Sequence, residues 1–254
     1  MPGCPIWGCP IRSSRKQLQE FQAMSKPQQR TAKQKTRRRG QGRPAGRANG
    51  VGEHTLICAA RKLMNNKPPS ELTRLEVAEA AGVDPALIRY YFKDMDGLLV
   101  SVLKQMLAES SVIMQSSEKI PGTPEDKLRR RIEIFIDFGA ANPGSHDLFV
   151  RYIIDGKTKW AAEKRSKITK TGFADLKTLV DEGRAEGLFR NDFDERFLYI
   201  LFFAASSFFF RTAGPIFSEL FDANASPRKL AKPYSTFMTD ILLTGIGRKE
   251  QTKP

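Results

Sequence analysis

Cysteine and histidine are scarce in this chain, three and two copies among 254 residues. Cys4 and Cys9 share the Pro-rich stretch MPGCPIWGCP with no second Cys pair or His cluster to complete a metal site, and Cys58 stands alone in an apolar pattern. Neither a zinc site nor a disulfide framework is supported, so no metal and no cofactor is expected. No glycine-rich phosphate loop follows a strand pattern and no serine sits in a GxSxG elbow. An enzyme would be left with a carboxylate-only site, a minor reading. Long apolar runs are missing too. The longest, FLYILFFAASSFFF at 197–210, is bracketed by Arg196 and Arg211 and falls short of the roughly 20 residues that span a bilayer. No continuous apolar region of signal-peptide type opens the sequence, so a cytoplasmic address without a membrane partner is expected. Residues 1–23 look unlike the rest, and Met24 is a candidate for an alternative initiator.

What the chain has in excess is positive charge, placed unevenly. Lys and Arg number 42 against 28 Asp and Glu, a formal charge of +14. Residues 1–50 hold twelve basic groups and the single acid Glu20, a net of +11, which leaves +3 for everything after them. Like charge this dense cannot fold alone, and it reads as a solvated arm able to condense on a polyanion. A solubilising tail or an arm touching an anionic membrane surface is the alternative.

From about residue 50 apolar residues recur at helical intervals, with no sustained alternation to suggest strands. The fold expected is all-α. Leu56, Ile57, Ala60, Leu63 and Met64 give a first helix, ended by NNKPPS at 65–70. Thr73 and Glu76 form a capping-box pattern that starts a second helix near 74, and Gly82 ends it. Asp84 followed by Pro85 opens a third short helix to about Phe92. A fourth runs from about Asp96 to Glu118 with Leu98, Val102, Met106 and Ile113 on one stripe. After the PGTP break come helices at about 125–141, 146–156, 158–186, 194–213 and 227–246, for about nine in all.

The segment ELTRLEVAEAAGVDPALIRYYFKDMDGLL, residues 71–99, meets the physical needs of a helix-turn-helix. Two short helices crossing steeply need a small side chain at the crossing, which Ala78 supplies, and a turn residue free to take positive φ, which Gly82 supplies. Val77, Ala81, Val83, Ile88 and Phe92 provide the apolar contacts that lock the pair. An ordinary helical hairpin shares the AxxxG spacing; the cap, the paired apolar positions and the basic arm together favour DNA binding.

AEAAGVDPALIRYYFKDMDGLL resembles the DNA-binding signature of the TetR/AcrR transcriptional repressors. The RRRGQGRPAG stretch is similar to the basic lead-in common in that family; EGRAEGLFRNDFD at 182–194 resembles the turn between its seventh and eighth helices, and DILLTGI at 240–246 the end of its last. The resemblance covers about residues 37–246. It implies an all-helical homodimer that binds double-stranded DNA at a near-palindromic operator through an N-terminal three-helix domain, with a C-terminal domain that dimerises and binds a small-molecule effector. The expected organisation is a basic arm at 1–46, a helix-turn-helix domain at 47–95, an effector-binding and dimerisation domain at 96–246 and a tail at 247–254. An effector-independent DNA-binding dimer on the same scaffold is the alternative.

Carried over by position, Pro85, Ala86, Leu87, Arg89 and Tyr91 face DNA, with Tyr90 and Lys93 near the phosphates. Arg89 is the best candidate for sequence readout, because a guanidinium can donate two parallel hydrogen bonds to guanine; a phosphate clamp is the alternative. Tyr91 is either a groove contact or a core residue. Thr73 would aim the amide end of the second helix at a phosphate, Arg74 beside it would add a contact, and Arg43 belongs to the arm. One departure matters: the lysine that such repressors commonly carry near the start of the fourth helix is replaced by Met95. Residues 51–103 hold six basic groups against seven acids, so the arm is expected to supply much of the nonspecific affinity, reaching into an adjacent minor groove.

Residues 189–221 hold ten of the 17 phenylalanines. A helix apolar nearly all round must be covered on both sides, by its own core and by a partner chain or ligand. The resemblance suggests a four-helix dimer interface from helices 194–213 and 227–246, with Phe202, Phe209, Phe237 and Leu242 as candidates. A mostly apolar effector pocket is expected among helices 125–186, lined by Phe135, Trp160 and Phe173. His54 and His146 lack carboxylate clusters, which disfavours a metal or pH effector.

Overall fold

The computed structural model describes residues 51–211, 215–221 and 224–248. The arm, Arg43 and most of the tail lie outside them. Among the described residues the chain is helical, as its periodicity predicts, with ten α-helices: α1 Val51–Leu63, α2 Arg74–Ala81, α3 Ala86–Phe92, α4 Met95–Glu118, α5 Pro124–Ala141, α6 Ser145–Phe149, α7 Lys159–Ala185, α8 Glu195–Arg211, α9 Pro215–Leu220 and α10 Pro227–Ile246. α6 continues into a π-helical stretch, Val150–Ile154.

The apolar residues collect into two cores. The first joins α1, α2 and α3 to the first half of α4, with Leu56, Ala60, Val77, Ala78, Ile88, Leu98 and Val102 fully buried. Leu148 and Ile153 also belong to it, so the packing does not stop at residue 95: the start of α4 and the α6 segment complete the N-terminal bundle. Truncating Ile88 or Leu98 to alanine would cost about 2–5 kcal/mol. Ile113, assigned to the α4 stripe by its spacing, is exposed, because the buried line drifts to Met114 and Ser117 as the helix passes to the second core. Although α4 is long and apolar enough to cross a membrane, its buried stripe is occupied by the first core.

The second core is built by α5, α7, α8 and α10, around Leu128, Ile132, Ile136, Val180, Phe189, Phe209 and Leu242. Two glycines explain the turn before α8. Gly187 takes φ 74°, and Gly183 leaves space for the Phe189 ring, whose Cδ2 would lie 2.2 Å from an added Cβ. The turn then pairs with the end of α10 through Arg190 N–H to the Ile246 carbonyl at 2.9 Å and Arg248 N–H to the Leu188 carbonyl at 2.9 Å. α9 is a helix where the sequence reads as a connection; Pro215 at its start and Phe217, buried against Phe209 with ring centroids 5.2 Å apart, account for it.

Two polar clamps tie the helices together. Arg61 on α1 makes a bidentate contact with Glu109 on α4 at 2.7 and 2.9 Å and donates to Asn142 after α5 at 2.8 Å. Asp96 in the first turn of α4 accepts from Tyr152 at 2.6 Å and Arg151 at 3.0 Å.

Candidate functional site

The helix-turn-helix is assembled from local rules. Thr73 caps α2: its hydroxyl oxygen accepts from the Glu76 amide at 3.3 Å, while the Glu76 carboxylate accepts from the Thr73 amide at 3.0 Å. Lys67 adds a contact at 2.6 Å, and this hydrogen bond, followed by those from Thr73, holds the Glu76 carboxyl down at about 2. Gly82 closes α2 at φ 64°, ψ 37°, and an added Cβ there would meet nothing within 4 Å, so the requirement is the left-handed backbone rather than space. Ala78 is fully buried at the crossing. α3 starts where the Asp84 carboxylate accepts from the Ala86 amide at 2.7 Å.

Ile88 and Phe92 turn inward, one turn apart, and fix which side of α3 faces out. That outer side carries Pro85, Ala86, Arg89, Tyr90 and Lys93, all exposed, with Tyr90 at 76%. Leu87 is half-buried and packs on the first core. Tyr91 is half-buried as well: its ring lies against the start of α1, where a Cβ on Gly52 would approach it to 3.3 Å, and it braces Tyr90 edge-on at 4.9 Å. Thr73 and Arg74 are exposed at the amino end of α2. Lys93 ends α3 with φ 74° and its amide donating to the Arg89 carbonyl at 3.1 Å. Positive φ is costly for a residue with a Cβ, and here it turns the chain sharply from α3 into the Asp94 cap of α4, where the Asp94 carboxylate accepts from Gly97 at 2.8 Å. Met95, at the position of the missing lysine, is half-buried against the first core.

Among the described residues Arg89, Arg74 and Lys93 make no ion pair, whereas Arg61 and Lys67 are paired within the fold. Three unpaired cations, Arg74, Arg89 and Lys93, are thus exposed on and just after α2 and α3, with Lys62 of α1 exposed as well. A helix with its inner face locked and its outer face polar and aromatic can enter a groove about 12 Å wide.

A second feature lies in the other core, an apolar cavity of about 90 Å³. Phe135 lines it, together with Phe202 and Leu242, which the family resemblance assigns to a dimer face. Phe173 stands edge-on to Tyr199, with centroids 5.9 Å apart, and is not in the lining. Trp160 is elsewhere: it packs on the first core under Lys104, because the start of α7 is held there by buried Ala161. Phe209 is buried and stacks on Tyr234 at 4.1 Å, inside the protomer. Phe237 is 63% exposed. Sequence reasoning missed Arg131, the charged group of the cavity wall; its place beside Arg129 and Arg130 in an RRR run gave no sign that it turns inward.

Residues 56–102 match the family model of bacterial regulatory proteins, tetR family, and residues 124–242 match the tetracyclin repressor-like C-terminal domain. The HTH-type transcriptional repressor NicS of Pseudomonas putida is 20% identical over 174 residues, covering 68% of this chain and 82% of NicS. The HTH-type regulator EthR of Mycolicibacterium smegmatis is 26% identical over 94 residues, covering 37% of this chain and 43% of EthR, so that match spans less than half of the relative. The ketosteroid regulator KstR2 of Mycobacterium tuberculosis has the same fold, with a TM-score of 0.61 at 15% identity over 82% of this chain and all of that one. FadR of Bacillus subtilis, solved with stearoyl-CoA, has a TM-score of 0.52 at 19% identity, covering 76% and 98%. With one family matched on both sides of the inter-core boundary, the chain belongs to the TetR/AcrR family of transcriptional regulators.

Proposed function

We propose that this regulator binds a near-palindromic operator as a homodimer, represses transcription there, and is released by a small, mostly apolar effector taken up among α5, α7, α8 and α10. The observation that carries the DNA reading is the outer side of α3, where Arg89 stands exposed and without a partner among the described residues while Ile88 and Phe92 lock the helix from behind. Arg89 reads a base and Lys93, Tyr90, Thr73 and Arg74 hold the backbone, with Pro85, Ala86 and Leu87 against the groove floor; Tyr91 acts as a brace. The basic arm with Arg43 contributes sequence-independent affinity. Self-association is supported by the apolar faces of α8 and α10: Phe197, Ile200, Leu201 and Phe208 on one, Phe237 and Ile241 on the other, all more than half exposed. The effector reading is supported by the cavity behind those helices. The proposed location is the cytoplasm, where such a protein meets its DNA.

Footprinting on DNA flanking the protein's own gene, followed by anisotropy titrations with Arg89→Ala, tests this reading. The variant should lose about 1–3 kcal/mol on the protected site, with relaxed preference at one base pair. An equal loss on random DNA would make Arg89 a phosphate clamp; no protected site at all would overturn the operator.

A further inference from the structure

The cavity wall is built from Met114 of α4, apolar residues of α5, α8 and α10, Gly172 and Leu176 of α7, and Tyr199, with Arg131 as its charged member. The Arg131 side chain is 18% exposed and bridges two carboxylates on different helices, Asp175 of α7 at 3.0 Å and Glu118, the last residue of α4, at 3.4 Å. Its other side faces a polar cleft of about 250 Å³ that shares Met114 and Arg131 with the cavity. The remaining cations of that cleft are engaged: Lys127 holds Glu182 at 2.8 Å, and Arg130 donates to the carbonyls of Ser117, Ile120 and Pro121. Arg131 is thus the junction between an apolar chamber and a polar entrance, held more loosely on the Glu118 side than the 2.7–2.9 Å of a strong charge-assisted bond.

We propose that the effector is a small monocarboxylate whose apolar body fills the cavity and whose carboxylate pairs with Arg131, displacing Glu118. This inference rests on the effector reading above. A guanidinium presents a planar fork of donors that matches a carboxylate bidentately, and it is only partly used by Glu118. Low solvent exposure strengthens such a pair, and an uncharged or cationic ligand would gain no counterpart to it, Arg131 keeping only the contacts to Asp175 and Glu118 that it already has. The chamber is far below the roughly 300–1,000 Å³ of pockets for larger ligands, which selects a short body. Because Glu118 ends the helix whose first turn follows α3, trading it for the ligand carboxylate loosens the far end of the element that carries the DNA-reading unit.

Calorimetry on the full chain with hexanoate, 1-hexanol and hexylamine tests the proposal without DNA. Hexanoate should bind at least tenfold more tightly than the other two. Arg131→Gln should abolish that preference while leaving hexanol unchanged, and Arg131→Lys should restore part of it. Glu118→Gln removes the competing carboxylate and should tighten hexanoate binding, a gain that a merely structural role for the cluster would not give. Hexanol bound as tightly as hexanoate, or hexanoate held equally by Arg131→Gln, would overturn the carboxylate inference and leave the apolar pocket standing. Failure of all three probes to bind would overturn both.

Discussion

Tyr152 donates its phenolic hydrogen to the Asp96 carboxylate at 2.6 Å, joining the π-helical stretch after α6 to the first turn of the helix that follows α3. Burial, then this hydrogen bond, pushes the phenol well above its ordinary value. A raised pKa means the stabilisation is fully present below the unfolded value of about 10 and is lost only as pH rises through the folded one. Tyr152→Phe should therefore lower unfolding free energy by about 0.5–1 kcal/mol, discounted for the exposure of Asp96, and by the same amount across neutral pH. Urea melts at several neutral pH values check this; a difference that changes across them would contradict the assignment.

Gly82 offers a cleaner separation of backbone from packing, since its φ is 64° and the space beside it is open. Gly82→Ala should cost about 1–2 kcal/mol and Gly82→Asn less, because asparagine tolerates the left-handed region. An alanine variant as stable as the wild type would refute the conformational argument for this turn.

The difference between Gly82 and the α8 helix shows what a sequence can reveal. The capping box, the glycine corner and the inward pair Ile88 and Phe92 are decided within a few residues, so the DNA-reading unit is legible from spacing alone. In α8 phenylalanine occupies every side: Phe202 meets the cavity, Phe209 the core and Phe208 solvent. Periodicity cannot orient a helix whose faces are chemically alike. Arg131 was illegible for a different reason, because its inward turn depends on Asp175 and Glu118 arriving from two other helices. Trp160 misleads in the same way, as a large aromatic whose packing partner is set by tertiary contacts with the first core.

Acid should act on the reader through Glu76, whose carboxyl is held at about 2 against an ordinary 4.5 by Lys67 and Thr73. A depressed pKa contributes stability above the unfolded value that disappears as pH falls toward the folded one. Glu76→Gln should thus lose stability at neutral pH and converge on the wild type between about pH 4.5 and 2. Melting temperatures of both proteins across that range are the measurement, and parallel curves would dissociate Glu76 from the acid response.

Salt dependence addresses the arm. The globular reader, residues 51–103, carries a net charge of −1, while residues 24–46 hold eight basic groups and no acid. Each phosphate contact adds about 0.9 to the slope of log affinity against log salt. Deleting residues 24–46 should flatten the slope for operator binding by several such contacts, read by anisotropy at a series of salt concentrations. An unchanged slope would assign nonspecific affinity to the globular domain alone.

Dimerisation should depend on the solvent-facing side of α8, where Phe197 and Phe208 are 70% and 62% exposed and Ile200 and Leu201 lie between them. These positions recur at helical spacing, so they form one stripe, and Phe237 and Ile241 extend the apolar surface on α10. A stripe this apolar is costly in water unless a second copy covers it. Placing a carboxylate in the centre of such an interface removes about 2 kcal/mol or more of association energy per anchor, because the buried charge finds no partner. Phe208→Glu combined with Phe197→Glu should convert the protein to a monomer in light scattering while leaving the helical circular dichroism intact, since neither ring belongs to a core. Operator affinity should fall with it, because one α3 reads only half a palindrome. A double variant that stays dimeric would move the interface elsewhere on the molecule.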